Sequence, residues 1–381
     1  MKQKLLNAQI VLADGVSAGS LEIRDGVIAN LLGEAAGASD TVIDCQGDFL
    51  ISGMIDIHTD NLEVHIHPRP TVQWPEIFAS AINHDWQVLC SGITTVFDSV
   101  AIGDFHSSGK RSQILDNAIA ALDKARAAGV LKVDHLLHLR CELCDQKMLP
   151  IVERIIDNPA VKLVSMMDHT PGQRQWHDAR KFREMYRKKG IRVWTDQEFE
   201  ADMVTWRRQQ AELVPVNRTA IRTLCEERNI VMASHDDTTV ADIDEAHADG
   251  ITISEFPTTV DAARRAHTLG MKTVMGSPNI VLGGSHSGNV SAAHLAELGL
   301  LDVLTSDYVP GSLLHATFML ASRGTPLHKA VAMVTKTPAE LLNLHDRGRI
   351  ADELRADLVR VRLIEGVPVI QNVWVSGRQF M

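Results

Sequence analysis

Thiols are scarce in this 381-residue chain: five cysteines, an odd number, scattered along it. That pattern excludes a disulfide framework and suits a reducing cytoplasm. No apolar run is long enough to span a bilayer. The opening Met1-Lys2-Gln3-Lys4 lacks the apolar core and cleavage site of a signal peptide. Basic residues are outnumbered, with 38 Lys and Arg against 48 Asp and Glu and a net charge of −10. Such a balance argues against a nucleic-acid partner, which needs a basic face. What is present is mostly ordinary. Apolar residues at 45% and charged residues at 23% describe a soluble globular protein with a substantial core. The 17 histidines are the unusual figure, and their positions carry the reading.

Residues 1–50 read as short strands (Ala8–Leu12, Gly19–Ile23, Val27–Leu32, Thr41–Cys45, Phe49–Ile51) with turn signals at Asp14-Gly15 and Arg24-Asp25-Gly26. The last residues, from Asp357 on, have the same texture. One small β-sandwich domain is therefore expected from both chain ends, 1–51 and 347–381. Between them, over 52–346, strand and helix patterns alternate. The strands are Met54–Asp60, Thr94–Ser99, His135–Glu142, Val161–His169, Ile230–His235, Ile251–Phe256, Thr273–Gly276 and Val303–Asp307. Eight such units predict an α/β fold with a (β/α)8 barrel. Two connections are long: 170–217, with helices expected over Ala179–Lys189 and Gln197–Ala211 before another at Arg218–Arg228, and 277–301. Both leave the C-terminal ends of strands and overhang the mouth where barrel enzymes keep their chemistry.

Ligand-type side chains recur at those ends. The first strand closes on His58 and Asp60, which period-two alternation puts on one face, opposite Ile55 and Ile57. His138, Arg140 and Glu142 share a face of the third strand. Asp168-His169 ends the fourth, His235-Asp236-Asp237 the fifth and Asp307 the eighth. Buried carboxylates and imidazoles need compensation. A set of histidines and carboxylates without thiolate suits Zn²⁺, Mn²⁺ or Fe²⁺ better than Ca²⁺. Singly, His235 could be a hydrogen-bonded core histidine and Asp307 a helix cap. Cys141-Glu142-Leu143-Cys144 has no matching second pair, so its cysteines are read as packing residues.

These motifs, with Thr335-Lys336-Thr337-Pro338-Ala339 and Ala356-Asp357-Leu358-Val359, resemble the amidohydrolase superfamily. His58-Thr59-Asp60-Asn61-Leu62, Pro68-Arg69-Pro70, Met167-Asp168-His169-Thr170-Pro171-Gly172, Ala233-Ser234-His235-Asp236-Asp237 and Gly283-Gly284-Ser285-His286-Ser287-Gly288-Asn289 are similar to a branch of sugar triphosphate diphosphatases of phosphonate catabolism. The resemblance implies two divalent metal ions, zinc or manganese, and a phosphorylated sugar cleaved to a 5-phosphate and pyrophosphate. It implies His58 and Asp60 on the first metal, Glu142 as the bridging carboxylate, and His169 and His235 on the second. Asp307 would hold the first metal and the attacking water. The usual sixth-strand histidine is missing, and Glu255 stands near its place.

Charge neutralisation for the triphosphate falls to Arg69, Arg140 and Arg174, with the loop carrying Ser285, His286, Ser287 and Asn289. That loop reads equally as a flexible turn or as a cradle of N–H groups for an anion, and Arg140 either contacts substrate or orients Glu142. The outer lysines at 188 and 189 are expected to form only a solvated helix face. An amide or cyclic-amide hydrolase or deaminase on the same fold is the alternative function. A homo-oligomer is allowed but not specified.

Overall fold

The computed structural model describes residues 2–33, 40–69, 72–103, 110–285 and 288–381, with the side chains of 110–114 outside the description. Sixteen strands fall into two sheets among the described residues. The N-terminal strands are β1 (Lys2–Val11), β2 (Val16–Arg24), β3 (Val27–Leu31), β4 (Thr41–Asp44) and β5 (Phe49–Ser52). The barrel strands are β6 (Met54–Thr59), β7 (Ile93–Ile102), β8 (Asp134–Glu142), β9 (Val161–Met167), β10 (Val231–His235), β11 (Ile253–Glu255), β12 (Lys272–Gly276) and β13 (Val303–Thr305). The chain finishes with β14 (Leu358–Ile364), β15 (Val367–Val375) and β16 (Arg378–Gln379).

β6 to β13 pair in chain order and in parallel. A bridge between Thr59 and Asp307 joins the first strand to the end of the last, so the eight-stranded sheet curls into a barrel. The interior is packed by Ile55, Ile57, Phe97, Leu163, Ala233, Ile253, Val274 and Val303, with Ala339 and Leu342 against it. Helices such as Ile77–Cys90, Met148–Ile155 and Val240–Ala248 cover the outside, their apolar stripes facing residues of the strands' outer faces. No described helix is long and apolar enough to cross a membrane.

The second sheet takes both chain ends, in the order β16-β15-β14-β5-β1-β2-β3, and branches at β1, which also pairs with β4. Parallel pairing of β1 with β4 along its first half and with β5 along its second is allowed by a break at Asn7, whose φ is 55°. Trp374 is fully buried there and donates its indole N–H to Gln3, 3.1 Å away. Chain passage from β5 into β6 runs through Gly53, where a Cβ would collide with the Thr94 side chain. Glycine is required by that close approach.

Two local expectations change. Gln197–Ala211 and Arg218–Arg228 belong to one helix, Asp196–Arg228, which runs through Pro215. Proline deletes one donor, but Val214, Asn217, Ile221 and Cys225 are buried and hold the stretch in place. The residues before this helix share a small core with its first turns: Phe182, Trp194, Phe199 and Met203, packed by Trp176, Tyr186 and Trp206. In β6 the simple alternation fails as well. Ile55 and Ile57 point into the barrel core, and so does His58, because the register shifts between Asp56 and Thr59.

Candidate active site

Three strand ends at the mouth turn through left-handed backbone: Asp236 after β10 (φ 57°), Phe256 after β11 (φ 55°) and Asp307 after β13 (φ 56°). Each still donates its N–H to the neighbouring strand or strand end, to Glu255, Val274 and His58 respectively. None is glycine, so each carries strain that the surrounding ladder must hold. The turn re-aims the side chain at 236 and 307 toward the mouth, which period-two reasoning from β10 cannot anticipate.

Glu255, fully buried, lies at the centre of the site. One carboxylate oxygen meets His58 Nδ1 at 2.7 Å and the other meets His235 Nδ1 at 2.7 Å. Burial alone would push this carboxyl up, but the imidazoles of His58, His138 and His235 hold it well below the usual range. An ionised carboxylate only accepts, so both Nδ1 atoms donate and both Nε2 atoms are the ring nitrogens left facing the cavity. His169 is set the same way. Its Nδ1 donates to Glu142 Oε2 at 2.5 Å, while Glu142 Oε1 accepts from the His169 N–H and the Cys144 thiol.

Two groups of ligand atoms result, each with its members within 4.8 Å of one another: His58, Asp60 and Asp307, and His169, His235 and Asp236. In the second, Asp236 Oδ2 is buried without a hydrogen-bond partner among the described residues, 3.5 Å from His235 Nε2 and 3.8 Å from His169 Nε2. A stranded carboxylate oxygen facing two imidazole Nε2 atoms is a donor set that a divalent cation would complete. Charge points the same way. Burial opposes a proton on His58, yet Glu255 and Asp60 push it up to about 10, so this pocket favours a positive charge. His138 sits deeper, bonded to Ser165 and Ile57, and is pushed down to about 3 by burial.

The remaining expected residues divide. Arg140 lines the cavity and forks onto both oxygens of Asp60 at 2.9 and 3.1 Å. Its buried Nε has no hydrogen-bond partner among the described residues. Ser285 and Asn289 also line the cavity, which holds about 200 Å³, whereas His286 and Ser287, like Pro70, lie outside the described residues. Arg69 is exposed and does not line it. Arg174 points elsewhere: it is buried and bound to Asp237, with Glu245 at 3.6 Å and the His235 carbonyl at 3.4 Å. Glu142 stands behind His169 rather than between the two groups. The sequence reading did not assign Asp236 as a ligand or Glu255 as the shared anchor. A carboxylate directly after a ligand-type histidine was the available signal for Asp236.

No family model matches the chain. It is 44% identical over 380 residues to the α-D-ribose 1-methylphosphonate 5-triphosphate diphosphatase of Escherichia coli (strain K12), covering 98% of both chains. A 133-residue stretch, 35% of the chain and 26% of the relative, is 32% identical to a D-hydantoinase of Ralstonia pickettii. Among solved structures, dihydropyrimidinase from Brevibacillus agri NCHU1002 superposes with a TM-score of 0.66 at 13% identity, over 100% of this chain and 95% of that one. The 5-methylcytosine deaminase from Klebsiella pneumoniae gives 0.66 at 14%, over 99% and 98%. At those identities the structural likeness establishes the fold alone. From the full-length relationship, the chain belongs to the family of the Escherichia coli α-D-ribose 1-methylphosphonate 5-triphosphate diphosphatase.

Proposed function

We propose that this protein is a metal-dependent hydrolase that cleaves α-D-ribose 1-methylphosphonate 5-triphosphate to the 5-phosphate and pyrophosphate. The observation that carries the reading is 44% identity along 98% of both chains to a diphosphatase of that name. His58, Asp60 and Asp307 would hold one divalent cation, and His169, His235 and Asp236 the other, with zinc or manganese suited to these donors. Two such ions supply Lewis acidity to a phosphoryl oxygen and activate water.

The chain's own residues then have definite tasks. Asp307, on the cavity wall, accepts the proton of the attacking water. Glu255 and Glu142 fix the tautomers and ring planes of the three histidines. Arg140 offsets the charge of Asp60 and brings its guanidinium to the cavity wall for phosphate, while Ser285 and Asn289 donate from the opposite loop. A cyclic-amide hydrolase on this fold would have little use for Arg140 in the wall. The same reading treats 52–346 as the catalytic barrel and 1–51 with 347–381 as one supporting unit. Five free cysteines accord with a reducing cytoplasm.

Turnover of the triphosphate in water enriched in heavy oxygen tests the proposal. Attack at the α phosphorus puts label in the sugar 5-phosphate and none in pyrophosphate. Labelled pyrophosphate, or orthophosphate as first product, would overturn the assignment of the broken bond.

A further inference from the structure

A second cavity of about 520 Å³ adjoins the first, and Gln175 and Asn289 line both. Its wall is the helix Ala179–Lys188, closed by Trp176. Lys181, Glu184, Met185 and Lys188 line it at the i, i+3, i+4 and i+7 spacing of one helix face, and Lys189 continues the row. Phe182, on another face, is buried in the aromatic core of the insertion and fixes the rotation of the helix.

The charges of this segment separate by residue type. Its arginines are neutralised: Arg180 by Asp178 at 3.0 Å, Arg183 by Asp196 at 2.6 Å, Arg187 by Glu184 at 2.7 Å and Arg192 by Asp202 at 3.1 Å. The lysines are engaged more weakly, Lys181 acting on Asp178 only from beyond ion-pair distance. Lys188 has only a 3.7 Å approach to Glu184, which Arg187 already engages. Lys181 and Lys189 have no carboxylate within ion-pair distance among the described residues. Three lysines against one glutamate leave the lining at +2, in a protein of net charge −10. These lysines converge on a concave surface beside the candidate ligand groups.

We infer that this cavity is a polyphosphate subsite, in which Lys181, Lys188 and Lys189 hold the terminal phosphates of the substrate and then the pyrophosphate leaving group. The inference rests on the triphosphate-hydrolase reading of the first cavity. Ammonium groups on flexible stems suit an anion whose shape changes as the bond breaks, and a local positive field draws in a polyanion against the negative charge of the whole.

Calorimetric titration of the metal-loaded protein with inorganic pyrophosphate tests the subsite without turnover. Lys181→Ala/Lys189→Ala should weaken pyrophosphate binding at least tenfold and raise KM for the triphosphate with kcat within about twofold. Lys162→Ala/Arg180→Ala removes the same charge away from this cavity and should change neither. Pyrophosphate that fails to bind the native protein, equal affinity in the lysine variant, or equal losses in both double variants would overturn the subsite. Lysine-dependent binding in a protein that cleaves no triphosphate would uphold the subsite and refute the hydrolase reading. Triphosphate cleavage with pyrophosphate affinity and KM unmoved in the lysine variant would do the reverse.

Discussion

His58 and His235 stack with ring centroids 6.1 Å apart and planes 15° apart, and each donates Nδ1–H to a different oxygen of Glu255. One carboxylate therefore sets the tautomer of a histidine in each of the two ligand groups. Bridging by Glu255 lies behind the rings, on the protein side of the site. It couples the groups without occupying either.

Replacing Glu255 by Gln tests that coupling. An amide offers one accepting oxygen, so one imidazole must face an NH₂ and shift its proton to Nε2, the atom needed by a metal. On the two-metal proposal, metal content should fall from two toward one per chain, and activity should fall roughly 10–100-fold. Elemental analysis of the purified variant reads the stoichiometry directly. Two tightly held metals in Glu255→Gln would show that the histidines are oriented by something else.

Arg174 was expected at the triphosphate, and its contacts predict a different phenotype. It is buried against Asp237, whose other oxygen takes the hydroxyls of Ser234 and Ser254, the latter at 2.6 Å. Arg174→Ala strands that carboxylate and should lower unfolding free energy by about 3 kcal/mol or more. Urea denaturation measures the loss. Native stability combined with a tenfold rise in KM would return Arg174 to the substrate site.

A third prediction concerns pH. Outside the barrel wall, Asp98 joins His84 (2.7 Å) and His135 (2.8 Å), all three fully or almost fully buried. Burial works against charge on His135, but Asp98 and Asp85 outweigh it and push its pKa up to about 9. A raised histidine contributes stability that is complete below its unfolded value near 6.5 and is lost as pH rises through about 9. Burial would raise Asp98, whose carboxyl His135 and His84 instead hold below the ordinary range, so its contribution disappears on acidification below about 4. Thermal melts from pH 6.5 to 9.5 should therefore decline in the native protein and decline less in His135→Gln. Parallel slopes would remove the pair from the account.

Chain order and periodicity determined much of this protein. All eight barrel strands were legible, because parallel strands buried on both faces read as short apolar runs and each is punctuated by turn residues. His58, His169, His235 and Asp307 stood out because each ends such a run with a ligand-type side chain. The pairing of both chain ends into one sheet was also visible in their common texture.

Direction and partnership were decided only in three dimensions. Left-handed backbone at residues 236 and 307 and the register shift in β6 break the period on which facing is inferred, so Asp236 turns where alternation does not send it and His58 faces inward beside Ile57. Arginines and lysines of the insertion look alike along the chain. Contacts to other segments neutralise Arg183 and Arg192, while the lysines are left beside a cavity. Glu255 was read as a departure from a familiar histidine position. Its role appears only once β6, β10 and β11 bring two imidazoles to one carboxylate, because a hydrogen bond between residues 197 positions apart is a property of the closed barrel and of no segment within it.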